Sequence, residues 1–254
     1  MGCATIRCHY PQRNPSAASV QRTCEPELMD DCQQALAYGA ADFASSDQAF
    51  VDRLADFFPG GLGDRLVDLG CGPGNISFRL AERFGSASVL AVDGAGAMLE
   101  LGRQALAALP AERAGRIWFV QAVLPDPALP GGFSGLLSNS LLHHLHDPQV
   151  LWRSLGQLGC PGAAVYIKDL RRPASPEAAL ALQELHLGQL DGPGAALLRR
   201  DYLASLHAAF SVEEVRTQLR EAGLVGLQVA ELGDRYLEVW GRLAGWSDDQ
   251  PVQP

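Results

Sequence analysis

The sequence of 254 residues predicts a doubly wound α/β fold: a mostly parallel sheet of seven strands with a helical cap and an antiparallel hairpin at its end. Two observations predict the parallel part. Five short apolar runs alternate with amphipathic helical stretches, and a glycine cluster follows the first run. A third observation predicts the hairpin, because the last two apolar runs are separated only by Leu232-Gly233-Asp234, and so short a connection requires antiparallel neighbours.

The segment before the first apolar run is predicted to form two helices. Residues 27–38 and 46–58 carry apolar residues at helical spacing, and Pro59 with the two glycines after it ends the second stretch. We expect residues 25–60 to form a lid over the domain that follows.

The domain itself is expected to span residues 61–246. Its predicted strands are Arg65–Leu69, Ser88–Asp93, Arg116–Val120, Gly135–Asn139, Ala163–Leu170, Leu227–Glu231 and Arg235–Gly241. Helical stretches at 75–84, 95–109 and 148–158 lie between the first five strands. A mostly helical insertion at 173–209 then breaks the alternation, and Ser211 opens the next helix with a capping-box pattern.

The composition disfavours two classes of protein. The formal charge is −9, with 20 basic against 29 acidic residues, which disfavours a partner that is held through its phosphates. No apolar run approaches the roughly 18 residues that are needed to cross a bilayer. We therefore expect neither nucleic-acid binding nor a membrane span.

The two ends of the chain differ in character from the domain. Residues 1–24 contain three arginines and no acid, and we expect them to form a disordered extension. Residues 247–254 are expected to form a flexible tail. The six cysteines form neither a CxxC pair nor a cysteine–histidine spacing of the kind that binds metal. We therefore predict no bound metal, and free thiols in a reducing, cytoplasmic setting.

The glycine cluster lies where the first strand gives way to a helix. It reads Asp68-Leu69-Gly70-Cys71-Gly72-Pro73-Gly74, and glycines at such a turn let a ligand approach the backbone N–H groups. Asp93, nineteen residues after Gly74, ends the second strand, where an acid hydrogen-bonds a ribose diol. The alternative is structural: the glycines form a tight turn and Asp93 caps the next helix.

The spacing of the glycines discriminates between nucleotide ligands. A dinucleotide fingerprint requires a third glycine at position 75, which is Asn75, and Pro73 removes one backbone donor. Asp68 would favour a ligand that carries an ammonium group. The loop resembles motif I of the class I S-adenosylmethionine-dependent methyltransferases.

The resemblance extends along the chain. Val92–Leu99 is similar to the second motif of that family, and Ser138–Pro148 is similar to the fourth-strand motif of its small-molecule branch, typified by quinone-biosynthesis enzymes. Gly159–Ala163 is similar to that branch's turn before the fifth strand, and the predicted terminal hairpin matches the family's reversed last strand. The sequence also resembles bacterial, especially cyanobacterial, members of unassigned substrate.

This resemblance implies a Rossmann-like fold, S-adenosylmethionine as cofactor and S-adenosylhomocysteine as product. In that family Asp93 would hold the ribose, and Met98 would pack near the adenine. The third strand lacks the family's usual acid, which leaves the backbone of Ala122 and Val123, or the Gln121 amide, to contact the adenine. The expected cofactor-binding residues are Tyr38, Phe43, Asp68, Gly70, Gly72, Gly74, Asp93, Gly94, Met98, Ala122, Val123 and Asn139.

The chemistry demands little of the protein. Because a sulfonium methyl group is already activated, alignment of the reactants and exclusion of water are the main requirements. His144 is the candidate general base, and the alternative is a structural role for the His143–His144 pair. Asp169, which ends the fifth strand, is the second catalytic candidate, unless it pairs with a neighbouring basic residue. The candidates for binding the acceptor are Arg172, Arg200 and Tyr202.

The expected function is methyl transfer to a small-molecule acceptor by a monomer or homodimer. Two alternatives remain open: an NAD-dependent oxidoreductase, and a donor-binding partner subunit without activity of its own. A nucleic-acid methyltransferase is disfavoured by the charge, and because Asn139 is followed by Ser140-Leu141 rather than by two prolines and an aromatic residue.

Overall fold

The computed structural model describes residues 21–26 and 28–244. Residues 1–20 and the expected tail at 247–254 lie outside the described residues. Residues 21–24, the last part of the extension that was expected to be disordered, instead pack on the domain. The backbone N–H of Thr23 donates to the carbonyl of His207 at 3.0 Å, and the Arg22 guanidinium lies 4.0 Å from the ring centroid of Phe210.

The described residues form seven strands. These are β1 (Arg65–Leu69), β2 (Ser88–Asp93), β3 (Ile117–Gln121), β4 (Phe133–Asn139), β5 (Gly159–Leu170), β6 (Gln228–Leu232) and β7 (Tyr236–Arg242). They make one sheet in the order β3-β2-β1-β4-β5-β7-β6. The first five strands pair in parallel, and β7 runs antiparallel to both β5 and β6. The predicted fold class is therefore confirmed.

The helices of the described chain are α1 (Cys32–Ala40), α2 (Ala44–Phe57), α3 (Asn75–Arg83), α4 (Gly96–Ala107), α5 (Ala111–Ala114), α6 (Gln149–Leu158), α7 (Pro176–Leu187), α8 (Ala195–Ala208) and α9 (Val212–Glu221). A short 3₁₀ turn at Leu142–His144 follows β4. None of these helices has the length and apolar character to cross a membrane.

Two helical predictions are corrected by local chemistry. α1 begins at Cys32, later than predicted, because the Asp31 side chain accepts hydrogen bonds from the next backbone N–H groups and caps the helix there. The insertion forms two helices rather than one stretch, because Gly192 and Gly194 both adopt positive φ around Pro193 and end the helical path. The capping box at Ser211 is confirmed, with Glu214 as its second member.

Helices bury the sheet on both faces. α2 and α3 cover one face, through Phe50, Leu54, Ile76 and Leu80. α6 and α9 cover the other face, through Leu151, Leu155, Val215 and Leu219. The carboxyl ends of β1 to β5 therefore meet at one edge, and α1 lies beyond that edge in contact with α4 and α8.

A buried carboxylate joins α2 to the end of the sheet. Glu238 on β7 is 2% exposed and accepts hydrogen bonds from Arg53 Nε at 2.9 Å, from Arg53 Nη2, and from the Tyr166 hydroxyl at 3.1 Å. A buried carboxylate without a cation is costly, so this pair fixes α2, and with it the lid, against the sheet.

We predict that Arg53→Met lowers the free energy of unfolding by about 2–4 kcal/mol, because Glu238 would stay buried without its cation. The matched control is Arg153→Met, which removes an ion pair with Asp147 in which both side chains are more than half exposed. That change should cost less than about 1 kcal/mol. Urea denaturation of both variants measures the difference, and equal losses would contradict the structural role of the Arg53–Glu238 pair.

Candidate ligand-binding site at the carboxyl edge of the sheet

A cavity of about 840 Å³ opens at the carboxyl end of β1, a volume typical of small-molecule sites. β2 and β4 lie on opposite sides of β1, so the loops that leave these strands diverge and form a crevice. Helices α1, α2, α7 and α8 and the β6–β7 hairpin border it from outside. We call the part that residues 68–76 and 92–98 line the glycine-loop half, and the part that residues 186–205 and 235–236 line the insertion half.

Most of the expected cofactor-binding residues border the cavity. They are Tyr38, Phe43, Asp68, Gly70, Gly72, Asp93, Gly94, Met98, Ala122, Val123 and Asn139. Gly74 does not, because it is the N-cap of α3 with a φ of 84°, and a Cβ there would lie 2.5 Å from the Phe119 ring. The Gln121 amide lies outside as well and donates to the Gly94 carbonyl at 3.1 Å, which leaves the backbone at Ala122 and Val123 on the cavity wall.

Asp93 holds two loops together at the cavity wall. Its Oδ2 accepts from the Gly72 N–H at 2.8 Å, and its Oδ1 accepts from the Ala95 N–H at 2.8 Å. A Cβ at Gly72 would meet no atom within 4 Å, so this position borders open space. Burial raises the pKa of Asp93, and the backbone N–H groups counter that rise. A carboxylate has about four acceptor positions, so Asp93 keeps capacity for a ligand hydroxyl beside these backbone N–H groups.

Asp68 and Asn139 provide acceptors deeper in the same half. Asp68 is 1% exposed and accepts from Ser77 Oγ at 2.6 Å. Burial raises the pKa of Asp68 to about 7; the Ser77 hydrogen bond opposes this rise, and the nearby carboxylate of Asp93 adds to it. The buried Oδ1 of Asn139 has no hydrogen-bond partner among the described residues. Within the described chain, the Asp68 carboxylate has no cation as partner, and the Asn139 oxygen has no hydrogen-bond donor. Both therefore suit a ligand that carries an ammonium group.

The lid contributes aromatic rings to the glycine-loop half. Tyr38 near the end of α1 and Phe43 at the start of α2 have ring centroids 4.7 Å apart. Tyr38 also packs with Ala35 and Met98, and burial raises the pKa of its phenol. The end of α1 therefore packs against the segment that follows Asp93.

His143 is fixed by Asp169. Its Nδ1 lies 2.6 Å from Asp169 Oδ1, and the other oxygen of Asp169 accepts from the Leu142 N–H at 2.7 Å. Burial lowers the pKa of His143, but the Asp169 and Glu25 carboxylates outweigh this effect and raise it overall. Asp169 is 1% exposed and does not border the cavity, contrary to its predicted catalytic position. It orients the imidazole instead of meeting a ligand.

His144 also borders the cavity, but unlike His143 it is expected to be uncharged. Burial, aided by the positive charge at His143, lowers the pKa of His144 to about 3, so this ring is neutral near pH 7. Its Nδ1 lies 3.3 Å from Glu25 Oε1, and its ring centroid lies 4.3 Å from that of His143.

Glu25, His143 and His144 also place three possible metal-ligand atoms within 4.8 Å of one another. An imidazolium at His143 has no free lone pair for a metal ion, and the Glu25 carboxylate lies 3.5 Å from its Nε2. The raised pKa of His143 therefore favours an ion pair in this cluster.

The predicted acceptor-binding arginines lie elsewhere. Arg172 donates to Glu214 at 2.6 Å and fastens the end of β5 to α9. Arg200 is 71% exposed and pairs with Asp201 at 2.7 Å. Neither borders the cavity: Arg172 is paired with an acid that only the tertiary fold brings near, and Arg200 is paired with its neighbour in the sequence. Tyr202 does border the insertion half.

Three further residues belong to the site although the sequence did not single them out. Arg22 donates to the carbonyls of His143 at 2.9 Å and Leu145 at 2.8 Å, and Glu25 accepts from Ser205 at 3.0 Å. Nothing in the local pattern of residues 21–26 predicts these contacts. Arg235 had a usable signal, since an antiparallel β7 must begin at the edge where β5 ends.

The sequence is related to that of known methyltransferases. Residues 66–158 match a family model described as a methyltransferase domain. The chain is 35% identical over 96 residues to a trans-aconitate 2-methyltransferase of Methylobacterium nodulans. The aligned segment is 38% of this chain and 36% of that protein. It is 33% identical over 133 residues to a trans-aconitate 2-methyltransferase of Azoarcus sp., which covers 52% of this chain and 47% of that protein. The matched part thus spans less than half the length of these two relatives.

Solved structures share the fold. A putative S-adenosyl-L-methionine-dependent methyltransferase of Methanococcus maripaludis has a TM-score of 0.63 at 18% identity, over 91% of this chain and 100% of that chain. At this level of identity the likeness concerns the fold alone. Residues 66–158 therefore match the model of a methyltransferase domain, and the chain shares its fold with a solved structure described as a putative S-adenosyl-L-methionine-dependent methyltransferase.

Proposed function

We propose that this protein transfers a methyl group from S-adenosylmethionine to a small-molecule acceptor and releases S-adenosylhomocysteine. The observation that carries the proposal is the pair of carboxylates, Asp68 and Asp93, which border the cavity near the carboxyl ends of adjacent strands, together with the open position at Gly72. Their chemistry suits the two polar ends of this donor. Asp68 and Asn139 match its ammonium group, and Asp93 matches its ribose hydroxyls.

S-adenosylmethionine supplies an activated methyl group, so the residues of this chain have to align the reactants and exclude water. Positioning of this kind can lower a barrier by about 7–11 kcal/mol. Tyr38 and Phe43 screen the glycine-loop half from solvent. The insertion half, bordered by Leu187, Leu190 and Tyr202, is where an acceptor would enter.

The histidine pair gives a positioning mechanism further support. A neutral imidazole with a pKa of about 3 accepts a proton weakly near pH 7, so His144 acts mainly as a wall of the site. His143 keeps its proton between Asp169 and Glu25 and fixes the 3₁₀ turn that shapes this wall. An acceptor that reacts on this surface therefore arrives ionised, or loses its proton to solvent.

We also propose a cytoplasmic setting for the protein, as a monomer or homodimer. The described cysteines Cys24, Cys32, Cys71 and Cys160 are free thiols, which supports a reducing environment.

We predict that Asp93→Ala weakens the binding of S-adenosylhomocysteine by about 1–3 kcal/mol, or roughly 5–150-fold in Kd, through the loss of charge-assisted hydrogen bonds. Asp64→Ala is the matched control, because Asp64 is an exposed acid at the opposite end of β1. Calorimetry with both variants measures the effect. Wild-type affinity in the Asp93 variant would remove the assignment of this residue.

We predict that donor binding weakens as the pH falls through 7. The pKa of Asp68 is about 7 without a ligand, and a cationic ligand binds its ionised form, so the carboxyl must first lose its proton at lower pH. Below pH 7 the Kd for S-adenosylhomocysteine should rise by about tenfold per pH unit in the limit of one linked proton. Asp68→Asn should bind weakly with a flat profile. An unchanged pH dependence in that variant would assign the linkage to another group.

We predict that the two adjacent histidines titrate far apart. His143 should keep its proton above pH 6.5, whereas His144 should stay neutral throughout the range from pH 5 to 8. A raised histidine pKa stabilises the fold below the unfolded pKa, and this gain is lost as pH rises through the folded value. Asp169→Asn should lower the pKa of His143, so that the stability of the fold depends less on pH. Imidazole ¹⁵N shifts and thermal unfolding between pH 5 and 9 test both points, and a protonated His144 at pH 6 would contradict them.

A further inference from the structure

Arg235 occupies an unusual position in the insertion half of the cavity. It lies in the tight turn between β6 and β7, and its backbone carbonyl accepts from the Arg171 N–H at 2.8 Å, which anchors the turn to the end of β5. The side chain borders the cavity. Its Nε and Nη1 atoms are buried and have no hydrogen-bond partner among the described residues.

The acids nearby are already engaged. Asp234, the preceding residue, bonds to His186 Nε2 at 2.7 Å. Asp201 accepts from Arg200 and, through its other oxygen, from Gln34 Nε2 at 2.8 Å. In the part of the chain that the structure describes, Arg235 forms no ion pair, whereas Arg171 and Arg172 pair with Glu231 and Glu214. Buried N–H groups of a guanidinium such as Nε and Nη1 of Arg235 normally have an acceptor, because leaving charged donors unpaired away from water is costly.

The surroundings of Arg235 add donors and positive charge. The buried Tyr202 hydroxyl lies beside the Arg235 guanidinium group: burial raises the pKa of the phenol, the guanidinium group opposes that rise, and the phenol O–H has no acceptor among the described residues. Arg235 Cζ lies 4.9 Å and Lys168 Nζ 4.6 Å from the ring centroid of Tyr236. Both cations therefore make cation–π contacts with the same ring. An anionic group that enters here would therefore find Arg235 Nε and Nη1 and the Tyr202 O–H as donors, and no carboxylate of the described residues is paired with that guanidinium group.

We propose that Arg235 and Tyr202 form a binding site for the carboxylate of the methyl acceptor, so that the protein methylates a carboxylic acid. The inference rests on the proposed function and names the class of acceptor for it. A carboxylate matches the planar guanidinium in a way that a neutral hydroxyl does not. The apolar walls at Leu187, Leu190 and Leu198 suit a hydrocarbon body attached to that carboxylate.

The test is binding of simple acids to the protein loaded with S-adenosylhomocysteine. The probes are benzoate and citrate, and the neutral counterparts are benzamide and trimethyl citrate. At least one acid should bind tenfold or more tightly than its counterpart. Arg235→Met should abolish this preference, and Arg200→Met, which removes an exposed arginine outside the cavity, should keep it. If neither acid is preferred, or if the preference persists in Arg235→Met, the proposal is wrong.

A second measurement does not depend on the choice of probe. If Arg235 is unpaired because it awaits a ligand, Arg235→Met should raise the melting temperature of the ligand-free protein, whereas the paired Arg172→Met should lower it. A fall in the Arg235 variant would show a structural role for Arg235 and overturn the proposal. Both variants should retain the affinity of the wild type for S-adenosylhomocysteine. Absence of that affinity in the wild type would contradict the proposed function itself, which keeps the two failures distinct.

Discussion

The functional site depends on one topological constraint, the reversal of strand order at β1. The chain adds β2 and β3 on one side of β1 and β4 and β5 on the other, so the loops at the carboxyl edge turn away from each other. On one side of the crevice, Asp93 joins the loops after β1 and β2 by accepting the Gly72 N–H. The crevice leaves Asp68 at the wall of an open space instead of in the core.

A second reversal completes the cavity. Because β7 runs against β5, its first residue, Tyr236, pairs with Leu170, where β5 ends. The β6–β7 turn is thereby placed at the same edge as the glycine loop. Arg171 and Arg172 follow β5 directly but turn towards Glu231 and Glu214, so the nearest cations in sequence are not those that border the cavity.

These two constraints explain which features could be predicted. The strands, the glycine loop and Asp93 are set by local patterns, since each depends on the periodicity of its own segment and on the turn that follows. The role of Arg172 could not be predicted in the same way, because a local pattern does not show that the fold pairs it with Glu214. For Arg200 the adjacent Asp201 was visible in the sequence, but the exposure of the arginine side chain outside the cavity was not. The position of Asp169 at the end of β5 also suggested contact with a ligand, and only the fold shows that its carboxylate is hydrogen-bonded to His143.

The N-terminal segment and the insertion act on the cavity together. Gln34 on α1 binds Asp201 on α8, and Glu25 binds Ser205 on the same helix, so the cover over the glycine-loop half is attached to the wall of the insertion half. A change in one half can therefore reach the other without passing through the sheet. The proposed methyl donor, S-adenosylmethionine, provides a partner for the acceptor oxygens of Asp68 and Asn139. It provides none for the N–H groups of Arg235. In a chain of charge −9, a half-buried arginine that forms no ion pair with any described residue is best explained by a ligand that brings the missing negative charge.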